Sequence, residues 1–227
     1  MLYLVDNADK LCGETYAQTL ALLPADRRAR AERCVHEGDR QRIVVAWLLL
    51  RHALREEYNL PDVPPLACGP RGKPFFAAPG LPHFNLSHSG HYAACALSPV
   101  EVGVDVQATA DAARHLSPAL VRRTCSPAEI ARLEAAGPAD SPAYAQAFCA
   151  LWTRKESVIK LTGRGLAEPL PNLLEHHAAD VLTTTATLNN GDAFLSLSRW
   201  AHNGTVPDAP LRPVRIPLEK LLDHPVR

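Results

Sequence analysis

The segment Trp152-Thr153-Arg154-Lys155-Glu156-Ser157-Val158-Ile159-Lys160-Leu161-Thr162-Gly163-Arg164-Gly165-Leu166 carries one carboxylate and two ammonium groups on a stretch of helical character. Trp152, Glu156 and Lys160 stand four apart, which places them on one face of a helix. Read alone, an acid and an amine at this spacing are a surface ion pair worth about 0.3 kcal/mol. The composition argues for more. Lysine and arginine together number 24, yet the only lysines are Lys10, Lys73, Lys155, Lys160 and Lys220. Lysine is a compact, titratable point charge that arginine replaces poorly. Two of these lysines fall in this one segment, and a third falls in Gly72-Lys73-Pro74.

Three further segments complete the set: Arg71-Gly72-Lys73-Pro74, Phe84-Asn85-Leu86-Ser87-His88-Ser89-Gly90 and Val102-Gly103-Val104-Asp105-Val106-Gln107. In the last, valines alternate with other residues, so on a strand Asp105 and Gln107 share the face opposite the valines. Ser87-His88-Ser89 offers two hydroxyls and an imidazole in a tight loop before Gly90. In order and spacing the four segments resemble the 4′-phosphopantetheinyl transferases of the larger, Sfp type, from about Arg27 to Leu166. Each motif alone is weak. Together, in register, they are specific.

The resemblance implies an α+β fold, a pseudo-dimer of two similar α+β halves. Here these are 1–108, with the coenzyme A nucleotide and phosphate contacts and the Asp105 strand, and 109–227, with the W-x-x-K-E-S helix. It implies a reaction in which the phosphopantetheine arm of coenzyme A passes to a serine of an apo acyl or peptidyl carrier protein, releasing adenosine 3′,5′-bisphosphate. It also implies site residues. His88, Arg42, Arg27 and Arg30 would bind the 3′-phosphate, and an arginine fork suits that group. Ser87 and Ser89 would hydrogen bond to the nucleotide. Lys73 would reach a phosphate or the adenine edge, and Lys155 the pyrophosphate. Attack of a hydroxyl on phosphorus requires charge neutralisation, alignment and removal of a proton. Magnesium, with manganese as the alternative, takes one or two carboxylates and completes its shell with phosphate oxygens and water. Asp105 and Glu156 are the expected carboxylates. Gln107 departs from the pattern, because many relatives carry a second acid there, and its carbonyl oxygen or a held water would take that place. Glu156 is also the expected base, with Lys160 stabilising phosphate charge. Trp152 reads as packing.

Two readings compete with the enzyme. A degenerate relative would bind coenzyme A or a carrier without turnover, and Gln107 is its only support. A metal-dependent phosphohydrolase would need no carrier, and the set of His88, Lys73 and Arg42 opposes it. The stretch from Ala108 to Cys125, with Arg122-Arg123, is the expected docking place for an acidic carrier helix.

The elements that must position these groups are legible in part. Apolar residues make up 47% of the 227, charged residues 21%, and net charge is zero, so no global field draws in nucleic acid or a membrane. Locally, eight arginines between Arg27 and Arg55 face Glu32, Glu37 and Asp39, a surplus of five positive charges that suits an anionic ligand. The six cysteines form no C-x-x-C pair and no zinc spacing, and no secretory leader opens the chain. A reduced, cytoplasmic monomer fits these observations and the resemblance. Periodicity predicts helices at Arg40–Tyr58 and Ser141–Leu161, and a capping box at Ser126 and Glu129. It predicts strands at Leu2–Asp6, Val181–Leu188 and Ala193–Trp200, and a hairpin of Tyr92–Leu97 with Val100–Val106 turned at Ser98-Pro99. The stretch from Pro207 to Pro217 reads as irregular.

Overall fold

The computed structural model describes residues 1–201 and 210–222. The first part of the chain runs β1 (Leu2–Val5), α1 (Gly13–Ala21), α2 (Ala25–Glu32), α3 (Glu37–Tyr58), β2 (Leu66–Cys68), β3 (Pro74–Phe76), β4 (His83–Ser89), β5 (Tyr92–Ser98) and β6 (Val102–Ala108). The second runs α4 (Thr109–His115), α5 (Pro118–Thr124), α6 (Pro127–Ala136), α7 (Pro142–Thr162), α8 (Leu173–His176), β7 (Val181–Leu188), β8 (Ala193–Trp200), β9 (Val214–Arg215) and α9 (Leu218–Leu222). This is the expected mixture of helices and sheets. Of the stretch read as irregular, residues 207–209 lie outside the described residues, and β9 adds a short strand parallel to β1.

Among the described residues the strands form two sheets, ordered β4-β5-β1-β9 and β6-β8-β7, beside a separate β2–β3 hairpin. The period of two on β1 and β5 divides their residues between two cores. Tyr3, Val5, Ala93, Cys95 and Leu97 pack with the buried face of α3, from Val44 to Leu54. Leu2, Leu4, Tyr92, Ala94 and Ala96 pack with Val102, Val104, Val106 and Leu195 of the second sheet. The valines of β6 therefore face the first sheet, and Gly103, Asp105 and Gln107 face α7.

The hairpin of β5 with β6 does not form. β5 pairs with β4 on one side and β1 on the other, and β6 crosses over to pair antiparallel with β8. β5 is apolar along both faces and buried from Tyr92 to Leu97, so it is an inner strand with both edges already used. Val100 lies outside β6 and is exposed.

The edge of β6 not paired with β8 would present unpaired N–H groups to the interior. Three of these are met by side chains of β4. Val104 donates to Asn85 Oδ1 (2.9 Å), Val106 to Ser87 Oγ (3.1 Å) and Ala108 to Ser89 Oγ (3.0 Å). Short polar side chains at alternate positions of one strand thus stitch the two sheets together.

α7 lies directly on β6. A Cβ at Gly103 would stand 2.0 Å from Ser157 O and 2.4 Å from Leu161 N, so only glycine allows this approach. On the same face α7 is pinned to the neighbouring strand β8 by the Ser157–Ser198 hydroxyl pair at 2.7 Å. The helix ends at Gly163 in the left-handed conformation, a common helix stop. The capping box of Ser126 and Glu129 opens α6 as the sequence predicts.

Candidate active site

Gly103 brings the helix face carrying Glu156 and Lys160 onto the strand face carrying Asp105. Lys160 Nζ donates to Asp105 Oδ1 (2.7 Å) and to Ser87 Oγ (2.9 Å), and the Ser87 hydroxyl donates to Asp105 Oδ1 (2.8 Å). Asp105 is buried, and its second oxygen, Oδ2, has no hydrogen-bond partner. Burial raises the Asp105 carboxyl above its usual range, opposed by Lys160 and Ser87. Glu156 is half-buried. Burial first, and then the Asp105 charge, push its carboxyl up to about 7 against the pull of Lys160.

These two carboxylates fit a hard cation. Among the described residues no group of three or more His, Cys, Asp or Glu side chains is placed to hold a metal. Magnesium, however, takes one or two carboxylates and leaves the rest of its shell to phosphate and water. An unpartnered, buried Asp105 oxygen beside Glu156 is the kind of donor such an ion satisfies. Gln107 shares this strand face and donates through Nε2 to Ser89 Oγ (3.1 Å), which leaves its carbonyl oxygen free to serve as a further oxygen ligand.

Beside the carboxylates lies a cavity of about 260 Å³, walled by α2 and α3, the tip of the β2–β3 hairpin, β4 and the end of α7. Arg27, Arg30, Lys73, His88 and Lys160 line it, with Ile43, Trp47 and Ile159 as apolar walls. The Arg27 guanidinium lies 5.6 Å from the Trp47 ring centre, and burial lowers its pKa. Lys73 donates to Leu161 O at 2.8 Å, capping the carbonyl end of α7, and its burial lowers its pKa. His88 is pushed down to about 4, first by burial and then by Arg42, Lys160 and Arg30.

Four expected ligand contacts are not where the sequence reading put them. Alternation on β4 sends His88 to the cavity and Ser87 and Ser89 to β6. The Ser87 hydroxyl donates to Asp105 and accepts from Val106 and Lys160. The Ser89 hydroxyl donates to Asp111 and accepts from Gln107 and Ala108. Each has thereby used its one donor and two acceptor positions, with none left for a nucleotide. Lys155 is 1% exposed, with all three N–H groups bonded inside the protein. Arg42 does not line the cavity. Its guanidinium pairs with Asp39 and donates to the Gly90 carbonyl (2.5 Å), whose own N–H donates to Asp111 Oδ2 (2.7 Å). Arg42 and Asp111 thus clamp the turn that ends the His88 strand. Trp152 stacks on Phe148 and packs in the core, as read.

The sequence reading missed Asn85, Asp111 and the packing role of Gly103. The spacing of Asn85, Ser87 and Ser89, short polar residues two apart on a strand, was a signal for the first. Asp111 pairs locally with Arg114, but nothing local marks its bonds to the Ser89 hydroxyl and the Gly90 N–H, more than twenty residues away.

The fold and site together define a two-sheet α+β protein with a basic cavity beside a carboxylate pair, one buried and one half-buried. Residues 101–212 match the 4′-phosphopantetheinyl transferase superfamily, and residues 11–100 match the 4′-phosphopantetheinyl transferase N-terminal family. A 4′-phosphopantetheinyl transferase of Bacillus subtilis is 34% identical over 155 residues, covering 66% of this chain and 65% of the relative. The 4′-phosphopantetheinyl transferase Sfp of Bacillus subtilis strain 168 is 30% identical over 164 residues, covering 70% and 69%. The AcpT 4′-phosphopantetheinyl transferase of Escherichia coli K12 is 34% identical over 153 residues, covering 66% and 71%. The chain spans just under two-thirds of the first of these relatives. It belongs to the 4′-phosphopantetheinyl transferase family. Among the described residues no helix is long and apolar enough to cross a membrane.

Proposed function

We propose that this chain transfers the 4′-phosphopantetheine arm of coenzyme A to a serine of an apo acyl or peptidyl carrier protein, with magnesium, releasing adenosine 3′,5′-bisphosphate. One observation carries the reading: the unpartnered Asp105 Oδ2 and the raised Glu156 carboxyl lie together beside a cavity lined by cations. In this proposal Asp105, Glu156 and the Gln107 carbonyl hold the metal, which supplies positive charge to the pyrophosphate. Arg27, Arg30 and His88 take the 3′-phosphate, and Lys73 edges the nucleotide.

The carrier hydroxyl attacks the phosphorus bearing the pantetheine arm. Its bond to the bridging oxygen breaks, and the nucleotide leaves with that oxygen. Glu156 receives the serine proton, directly or through a water. Two N–H groups of Lys160 are held by Asp105 and Ser87, which aims the third at phosphate charge. In this reading 1–108 supplies the nucleotide and phosphate contacts with Asp105, and 109–227 supplies Glu156 and Lys160.

The carrier docks along α5, where Arg122 and Arg123 are exposed in the last turn. The R122E/R123E double change raises the carrier KM and leaves the coenzyme A KM alone, and an unchanged carrier KM removes the docking. All six cysteines are free, which supports a reducing, cytoplasmic setting. As one chain supplies both parts of the site, the reading takes it as a monomer. The test is a mass measurement on an apo carrier after incubation with coenzyme A, magnesium and the protein, with Glu156→Ala in parallel. A gain of one phosphopantetheine that Glu156→Ala abolishes supports transfer. Bound coenzyme A with no gain on fatty-acid, polyketide or peptide carriers supports a binding protein without turnover.

A further inference from the structure

Lys155 stands one residue before Glu156, yet its ammonium faces away from the cavity and is buried. Its three N–H groups go to Thr124 O (2.6 Å), Glu129 Oε2 (2.6 Å) and Leu170 O (2.8 Å). Thr124 is the last residue of α5. Glu129 Oε2 also accepts from Ser126 N (2.7 Å), so it belongs to the corner between α5 and α6. Leu170 ends the segment that leaves α7 through Gly163 and Gly165, both of which line the basic cavity. Between Gly163 and Leu170 the described backbone hydrogen bonds outside the helices are Gly163 N to Ile159 O, Glu168 N to Gly165 O at 3.4 Å and Leu173 N to Leu170 O at 3.3 Å. The segment is otherwise anchored by Glu168 on His177 (2.8 Å) and by the buried Leu170 side chain.

We propose that Lys155 is a positioning residue: one buried ammonium ties α7 to the α5–α6 corner and to the far end of the glycine segment, and so holds that wall of the cavity in place. An ammonium suits the task because it has three donors and no acceptor, and it meets three converging oxygens. The inference rests on the coenzyme A reading for its consequence, but the tether is testable without it. Removing Lys155 alone would strand the buried Glu129 charge and risk the fold. The K155M/E129Q double change removes both charges, keeps the volume, and leaves glutamine able to complete the capping box with Ser126.

Two measurements decide it: hydrogen exchange on the free protein, and calorimetric titration with coenzyme A. The double variant is expected to melt cooperatively. Amides of residues 163–170 should exchange faster by about tenfold or more, while those of β1, β4 and β5 keep their rates. Coenzyme A should bind about tenfold more weakly. Unchanged exchange overturns the tether. Weaker coenzyme A binding with unchanged exchange also overturns it, and returns Lys155 to a direct ligand contact. A wild-type chain that binds no coenzyme A would overturn the functional reading instead, and the exchange comparison would still decide the tether.

Discussion

Gly103→Ala tests whether the site is assembled by the approach of α7 to β6. The added methyl would sit 2.0 Å from Ser157 O, 2.4 Å from Leu161 N and 2.9 Å from Leu161 Cα. All three are backbone atoms of one helix, so no side chain swings away to relieve the contact. Ordinary contact distance is about 3.5 Å, so the helix has to retreat by more than about 1 Å. The Lys160–Asp105 bond at 2.7 Å and the Ser157–Ser198 pair at 2.7 Å then lengthen beyond hydrogen-bond range. Overpacking costs about 1–3 kcal/mol, and loss of the partners of buried Asp105 costs about as much again. For a chain of this size that lowers Tm by roughly 5–15 °C. A shift of about 1 Å in the catalytic groups costs about a hundredfold in kcat. The assays are calorimetric melting and the rate of carrier modification at saturating coenzyme A. Gly69→Ala is the control, since a Cβ there meets only Lys73 O at an ordinary 3.6 Å. A Gly103→Ala protein with wild-type kcat and a Tm within about 1 °C of the parent would refute the reasoning.

Three further outcomes are expected. Ser87→Ala leaves the Val106 N–H unpaired and removes a partner of Asp105. It should cost about 1–3 kcal/mol by calorimetric melting with coenzyme A affinity kept. A tenfold or so loss of affinity at unchanged Tm would restore the hydroxyl to the nucleotide. Gln107→Glu adds a third carboxylate to the site, on the strand face of Asp105. It should lower the metal concentration needed for half-maximal transfer and destabilise the metal-free protein, and an unchanged metal titration would show that position 107 does not face the ion. With Glu156 near 7 in the metal-free protein, proton and metal compete for one carboxylate. Metal affinity measured by titration should therefore rise about tenfold between about pH 6 and pH 8, and a flat profile would exclude Glu156 as a ligand. The stability sign runs the other way. The folded state keeps the Glu156 proton that the unfolded chain releases near 4.5, so this contribution is full below that value and is lost as pH rises through about 7.

The sequence was most legible where one element carries the signal. Helical spacing placed Glu156 and Lys160 on one face of α7, and the alternation of β6 placed Asp105 and Gln107 opposite the valines. What failed depends on residues far apart in the chain. Lys155 and Lys160 are both lysines of one motif, and only their surroundings separate a buried tie from a cavity cation. The sequence shows that Lys155 lies about a quarter-turn from Glu156, but Thr124, Glu129 and Leu170 come from three other segments. The β5–β6 hairpin failed similarly. Two adjacent valine- and alanine-rich strands suggest a turn, whereas the inner position of β5 is decided by β1, more than eighty residues earlier. Ser87 and Ser89 were placed on the ligand because their motif does not reveal that β6 has an unpaired edge.

The charge balance is the reason to propose that the cavity and the carboxylates form one site. With Asp105 and Glu156 both ionised, Lys160 offsets only one negative charge, and the excess lies in a place that water reaches poorly. Burial raises both carboxyls, the Asp105 charge adds to the rise at Glu156, and Asp105 Oδ2 has no hydrogen-bond partner. The cavity has the opposite imbalance: Arg27, Arg30 and Lys73 are positive, burial lowers the pKa of Arg27 and Lys73, and His88 gives up its proton. A divalent cation alone would correct the first imbalance, and a phosphate alone the second. A coenzyme A nucleotide spanning both, with its 3′-phosphate in the cavity and a metal between its pyrophosphate and the carboxylates, would correct the two together. Metal and nucleotide should therefore bind with positive coupling, each tightening the other by the same factor. Titrating the nucleotide with and without magnesium, and magnesium with and without the nucleotide, measures that factor twice. Equal factors near one would show that the two charge patches act as separate sites.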